Sequence, residues 1–465
     1  MSFSREKLTN DLSQLVIEKR AFINNEFIET KNTFSKKSPI DNSLIDKISA
    51  CHTEEIDLAV YSANKVYQAR TWIDFSIEGK KSIFLKLAEL MRKNIYELSL
   101  LDCYETGRSF KNYYEDSIPK AIEIVEWFTE SIDKLIEEAS PSNKDHLSLV
   151  QRVPIGVVAC ITPWNDPLVP ALWKIIPALL AGNSVIIKPA EQSTFSILKI
   201  AQFLKEAGLP PGVFSVLPGP GDITGKALAY NSEVRGIFFT GSSEVGKKIL
   251  KYAGESNMKR VGLECGGKSA FIISDKTNKL ELAAKTLAKN IFYNQGQICS
   301  APSRAFVHIT LFQEFLSILT EEAYNFTPGH SLDYASNVST LISFEAKERI
   351  EKMLKDNEND YERAIIVGDK NLTLNSLPPT ILVNVNLKSP LYSEEIFGPV
   401  LVLNTFTDID DAITLANDSE YGLAGSIWTD NLSEALSCSQ RLEAGIVHIN
   451  SYGEDDMSVP FGGFK

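Results

Sequence analysis

Several things are scarce in this chain, and each scarcity excludes a class of function. Its six cysteines stand at 51, 103, 160, 265, 299 and 438, with no Cys-x-x-Cys pair and no regular spacing. That pattern indicates neither a zinc site nor a disulfide framework, so no metal is expected and the thiols read as reduced and cytoplasmic. Histidines number five, at 52, 146, 308, 330 and 448, and none adjoins Cys299; nothing local supports a Cys-His protease. Basic residues are outnumbered, 47 against 60 acidic, for a net charge of −13. A nucleic-acid surface needs a concentrated basic stripe, so none is expected. Long apolar runs are missing as well. The most apolar segment, residues 167–182, is broken by Lys174 and Pro177 and falls short of the ~20 residues of a membrane span. The first residues lack the apolar core of a secretory signal. There is no internal repeat and no low-complexity tract.

What remains is the composition of a globular protein, 44% hydrophobic and 23% charged over 465 residues, long enough for about two to four domains. From Val153 to about Asn294, short β-branched runs alternate with helical stretches. Strands are predicted at 153–162, 184–188, 212–217 and 236–240, with helices at 167–181, 194–207, 223–230 and 244–253. Repeated βα units imply a parallel sheet with helices on both faces and ligands at the carboxyl ends of its strands. Ahead of this series, helical patterns cover 56–70, 77–98 and 118–138, and the polar stretch 139–145 reads as a boundary or a protruding hairpin. Beyond Cys299 a second α/β series runs to about Asn450, with strands predicted at 304–309, 364–367 and 446–450.

Three features fall at strand ends of the first series: Pro163-Trp-Asn165, Lys188-Pro-Ala-Glu191 and the Gly241-to-Gly246 turn. The turn suits a phosphate at a helix N-terminus, although Gly and Ser there are also ordinary capping residues. Lys188 can reach ribose or phosphate oxygens, and Glu191 can accept from a ribose diol. Together the three favour a dinucleotide. Cys299 lies in Asn294-Gln-Gly-Gln-Ile-Cys-Ser300, and Glu264 lies in Leu263-Glu-Cys-Gly-Gly-Lys268. A thiol and a base in such surroundings suggest covalent chemistry on an aldehyde or acyl group.

With these motifs, and with Glu394-Glu-Ile-Phe-Gly-Pro399 and Pro460-Phe-Gly-Gly-Phe-Lys465 in the same order, the sequence resembles the aldehyde dehydrogenase superfamily from about Phe22 onward. The resemblance implies an α/β fold: a Rossmann-like cofactor domain (1–128 and 149–263), a second α/β catalytic domain (264–447), and a small oligomerisation hairpin with a C-terminal segment (129–148 and 448–465). It also implies that Cys299 attacks the aldehyde carbon, that Asn165 and the Cys299 N–H hold the resulting oxyanion, and that Glu264 activates the hydrolytic water. Cofactor contacts implied in the same way are Ile161, Trp164, Lys188, Glu191, Gly221, Gly225, Gly241, Ser242, Glu395 and Phe397. An acid at Glu191 opposes a 2′-phosphate, so NAD is expected, with NADP as the alternative. The expected assembly is a homodimer or homotetramer.

Two departures bear on the substrate. Asp166 stands where relatives usually carry an aromatic, and Tyr452-Gly-Glu-Asp-Asp-Met457 precedes Pro460. With Asp166, Tyr452, Glu454 and Asp455 at the aldehyde mouth, a substrate with a remote ammonium group is expected. The stretches 256–260 and 456–463 look most like the γ-glutamyl-γ-aminobutyraldehyde dehydrogenase branch, and 297–303 is similar to betaine- and amino-aldehyde enzymes. Relatives continue beyond Pro-Phe-Gly-Gly-x-Lys with a segment whose glutamate would sit near Lys174, which makes Lys174 a further catalytic candidate. The alternatives are a broad-specificity enzyme for neutral aldehydes, an acylating enzyme, and a silent structural or binding protein on the same fold. Glu264 counts against the second, and the presence of Cys299, Glu264 and Asn165 against the third.

Overall fold

In a computed structural model of the chain, residues 3–141, 144–368, 374–453 and 456–465 are described. Two seven-stranded sheets organise it. In the first the strand order is Arg260–Glu264, Gly236–Thr240, Val157–Ile161, Ser184–Lys188, Phe214–Val216, Ala21–Ile23 and Glu26–Ile28. The first five strands run parallel, and the last two continue the sheet antiparallel. Val157–Ile161 and Ser184–Lys188 are buried along their whole length, as strands covered on both faces must be. This explains their unbroken apolar reading in the sequence.

The strand order reverses between Val157–Ile161 and Gly236–Thr240, which opens a crevice outside their carboxyl ends. Register then fixes what borders it: Ile161 pairs with Lys188, Phe239 with Ile161, and Thr240 with Glu264. Helix Leu168–Leu180 follows the first of these strands and buries Leu168, Leu172, Ile175, Ile176 and Leu179, each contributing roughly 1.5–3 kcal/mol of burial. That anchoring makes the Pro163–Asn165 loop a fixed rim of the crevice.

The second sheet has the order Tyr361–Ile366, Thr380–Val385, Val400–Phe406, Arg304–His308, Ala270–Ile273, Ala424–Trp428 and Ile446–Ile449, parallel except for the first pair. Glu138–Ser140 and Ser148–Val150 form a separate, fully exposed hairpin. The α/β class expected from the sequence is the one observed.

Several boundaries differ from expectation. The strand expected from residue 153 begins at Val157, because Pro154 has no N–H to donate and Gly156 takes φ 120°. The helix expected over 77–98 is two helices, Ile77–Lys93 and Ile95–Thr106, divided at Asn94, whose Nδ2 donates to Leu90 O at 2.7 Å. The helix expected to reach 138 ends at Ser131, leaving Glu138 for the hairpin. Among the described residues no helix is long and apolar enough to cross a membrane.

Candidate active site

Helix Leu280–Phe292 delivers the chain to a turn at Tyr293–Gly296, in which Asn294, Gln295 and Gly296 all take positive φ (50°, 56° and 69°). The strain of two non-glycine residues in that region is borne by amide side chains. Gln295 Nε2 donates to Leu377 O at 3.1 Å and its Oε1 accepts from Leu377 N at 2.9 Å. Gln297 Nε2 donates to Asn294 O at 3.0 Å and its Oε1 accepts from Ile342 N at 2.9 Å. Cys299 emerges from this braced turn.

Asn165 meets the same turn. Its Nδ2 donates to Gln297 O at 2.9 Å, and Asn294 Nδ2 donates back to Asn165 O at 3.1 Å. A primary amide carries two N–H bonds; the one given to Gln297 fixes the plane of the group and leaves a second donor on the same nitrogen.

Glycines show how closely the remaining motifs converge. A Cβ at Gly267 would lie 2.2 Å from Cys299 O, and one at Gly296 would lie 2.1 Å from Gly398 O. A Cβ at Gly266 would lie 2.1 Å from Glu395 Oε2, and Gly267 N donates to Glu395 Oε1 at 3.0 Å. A Cβ at Gly462 would stand 3.4 Å from Glu264 Oε1. At Gly266, Gly267 and Gly296 the backbone passes where a side chain would not fit, which seats the Glu264 strand end against the Cys299 turn and Glu395, with Gly462 in contact range of Glu264.

Burial shapes the electrostatics there. It pushes the Cys299 thiol up to about 12, assisted by the charges of Glu395 and Glu264, so the resting sulfur is protonated and needs a base. The Glu264 carboxyl is raised by burial, against the opposing charge of Lys174. A raised carboxyl is a stronger base than an exposed one. Lys174 is lowered by burial, against the charge of Glu264, and its Nζ donates to Thr240 Oγ1.

The cofactor candidates divide into two groups. At one side Lys188, 2% exposed, donates to Pro189 O at 2.8 Å and to Glu191 Oε2 at 3.3 Å, while Glu191 Oε1 accepts from Gly221 N at 2.7 Å. A Cβ at Gly225 would come within ordinary contact of Ile161 and Lys188. At the other side Phe397, held at φ 52°, meets Trp164 edge-on at 5.5 Å beside Glu395. Ser242 caps helix Ser243–Glu255, its Oγ accepting from Val245 N; a Cβ at Gly241 would strike the Phe239 ring at 2.5 Å.

The substrate candidates are placed differently from expectation. Asp166 is not a free charge: Arg108 Nη1 donates to its Oδ2 at 3.0 Å and Ser117 Oγ donates to the same oxygen at 3.0 Å. Tyr452 is 6% exposed and donates from its hydroxyl to Ser300 O at 2.6 Å, so it braces the turn after Cys299 rather than opening onto solvent. Glu454 and Asp455 lie outside the described residues. Trp173 and Phe461 pack at 5.6 Å, next to Lys174 and Gly462. Also unassigned from the sequence was the buried Lys36–Glu105 pair. Glu105 accepts from Thr194 N and Phe195 N at 2.6 and 2.7 Å, and Lys36 donates to Glu191 O at 3.1 Å. The pair seats the Glu191 loop on a helix N-terminus. Lys36 and Glu105 carry no motif of their own.

Comparison with known proteins agrees with this geometry. The model of the aldehyde dehydrogenase family matches residues 27–465. The chain is 42% identical over 454 residues to the NADP/NAD-dependent aldehyde dehydrogenase PuuC of Escherichia coli strain K12, covering 97% of this chain and 91% of that one. It superposes on the γ-glutamyl-γ-aminobutyraldehyde dehydrogenase of Burkholderia cenocepacia J2315 with a TM-score of 0.96 at 38% identity, covering 100% and 94% of the two chains. On the P. syringae AldA indole-3-acetaldehyde dehydrogenase in complex with NAD+ and IAA, the TM-score is 0.97 at 39% identity, covering 100% and 95%. A match over nearly the whole chain, at these identities, means that the chain belongs to the aldehyde dehydrogenase family.

Proposed function

We propose that the protein oxidises an aldehyde to a carboxylic acid through a covalent bond to Cys299, with NAD+ as its cofactor. The observation that carries this reading is the seating of Gly267 against the Cys299 carbonyl, which brings the Glu264 strand end to the nucleophile's turn. The Cys299 sulfur, its proton taken by a base, bonds to the aldehyde carbon. The resulting oxyanion faces the Asn165 amide and the Cys299 N–H. Bound NAD+ supplies the acceptor for the hydride that leaves as the thioester forms. Glu264 then takes a proton from water, the water oxygen bonds to the acyl carbon, and the carbon–sulfur bond breaks to release the acid.

The cofactor side fits a dinucleotide by its chemistry. Lys188 and Glu191 set a donor and an acceptor together at a strand end, as a ribose diol requires. Glu395 and Phe397 stand beside the Cys299 turn, where the reactive ring would lie. Glu191→Ser is expected to raise the ratio of kcat/KM for NADP+ over NAD+ about tenfold, since relief of like-charge repulsion worth ~1.4 kcal/mol is a factor of ten. Initial rates with the two cofactors check this, and an unchanged ratio would remove Glu191 as the discriminator.

For the substrate we favour an ω-amino-aldehyde, as the name of the B. cenocepacia neighbour and the acidic 452–457 segment suggest. A neutral aldehyde is the second reading. It is favoured by the Arg108–Asp166 pair, which compensates one of the expected acids, and by the name of the AldA neighbour. NADH formation with 4-aminobutyraldehyde and with indole-3-acetaldehyde separates the two, for the wild type and for Glu454→Gln and Asp455→Asn. The amino-aldehyde should lead in kcat/KM and lose its lead in the variants; a ratio untouched by either substitution ends that reading. Six free thiols support a cytoplasmic setting. The exposed Leu147, Leu149 and Val150 of the hairpin support a homo-oligomer.

A further inference from the structure

Arg108 belongs to none of the motifs, yet it touches both loops that make the proposed site. It follows Gly107, the left-handed cap of helix Ile95–Thr106, and is 4% exposed. Nη1 donates to Asp166 Oδ2 at 3.0 Å, and Nη2 donates to the Tyr293 hydroxyl. The Tyr293 hydroxyl in turn donates to Asp116 Oδ2 at 2.8 Å. The rings of Tyr113 and Tyr293 stand 4.9 and 4.8 Å from the guanidinium carbon, within cation–π range. Asp166 is the residue after Asn165, and Tyr293 is the residue before Asn294. The two loops are otherwise joined by the amide bonds of Asn165 and Asn294.

We propose that Arg108 is a positioning residue that holds the Asn165 loop in register with the Cys299 turn, through Asp166 on one side and Tyr293 on the other. The inference rests on the reading of Cys299 as nucleophile and Asn165 as oxyanion donor. Arginine suits the task because its planar fork donates in two fixed directions from one buried charge, whereas a lysine ammonium has no such fork. Asp166 completes the device as the fixed acceptor at one end. Its charge is spent on the clamp, with Ser117 donating to the same carboxylate oxygen that Arg108 holds.

A double-mutant cycle on the full-length protein tests this, using R108Q, D166N, Y293F and R108Q/D166N, with R108K as the conservative variant. Loss of register by about 1 Å costs on the order of 10²-fold. R108Q should therefore lower kcat about 10²-fold, with KM for NAD+ changed less than about threefold, because the side-chain bonds of Lys188 and Glu191 run to Pro189, to each other and to Gly221 rather than to the clamp. R108K should recover part of the loss. The double variant should be no slower than R108Q alone, since both substitutions break one linkage. A folded R108Q with kcat within about threefold of wild type, or losses that multiply in the double variant, would overturn the proposal. If R108Q does not fold, Y293F decides on the same readouts, because it removes one hydroxyl and keeps the ring. Alkylation of Cys299 by iodoacetamide separates this proposal from the function it rests on. A wild type that oxidises no aldehyde refutes that function. The clamp then stands if R108Q or Y293F alters the alkylation rate more than about threefold, and falls if neither does.

Discussion

Replacing Cys299 with alanine is expected to abolish aldehyde-dependent NADH formation, a loss of at least about 10⁴-fold in kcat, with the fold and cofactor binding intact. The size of the effect follows from what remains. Asn165 and the backbone donors could still polarise a carbonyl, but no atom would be left to form the bond that makes hydride departure favourable. Cys299→Ser is expected to be nearly as inactive. Burial and the charges of Glu395 and Glu264 already push the cysteine thiol up to about 12, and a hydroxyl in the same surroundings is harder still to ionise. Structural disturbance should be small, because the turn is held by Gln295 and Gln297 rather than by the thiol. Initial rates of wild type and both variants, with titration of NAD+ binding, check this. A Cys299→Ala protein turning over within tenfold of wild type would sink the nucleophile assignment.

The proposed thiol nucleophile and the proposed base were legible as candidates in the sequence because each lies inside a short, dense motif. The same holds for much of the first sheet. Strands such as Ser184–Lys188 are buried on both faces and read as unbroken apolar runs, and their carboxyl ends carry the Lys188, Thr240 and Glu264 segments. Less legible was anything created by distant chain meeting distant chain. Asp166 read as a free acid at a mouth because its partner, Arg108, stands 58 positions away. Tyr452 read as a rim residue because its hydroxyl meets Ser300 across 152 positions. Lys36 and Glu105 each look like a solvated charge, and only the fold buries them together beneath Glu191. Local errors have local causes. Asn94 breaks a helix whose apolar periodicity runs on past it, and Pro154 with Gly156 delays a strand whose β-branched residues begin at Val153.

Glu264→Gln is expected to divide the reaction in two. The first NADH equivalent should form at a rate within about tenfold of wild type, while steady-state turnover falls by about 10² to 10⁴-fold, the usual worth of a positioned general base. The reason lies in where the carboxylate stands. It ends a strand whose neighbour carries Thr240, beside the Gly462 backbone, and burial raises it while the Lys174 charge holds it down. A carboxyl raised in this way is ionised only above its elevated pKa. Steady-state turnover of the wild type should therefore decline as pH falls through that value, and the decline should vanish from the residual rate of Glu264→Gln. Lys174→Met removes the opposing cation, so the Glu264 carboxyl should rise further and the acid limb of the wild-type profile should move to higher pH. Rapid-mixing absorbance measures the first turnover, and intact mass detects the acyl group retained on Cys299. If Glu264→Gln loses the first turnover as completely as the later ones, with no acyl adduct, the carboxylate serves to deprotonate Cys299 instead of activating water. If both phases survive, Glu264 is not the base.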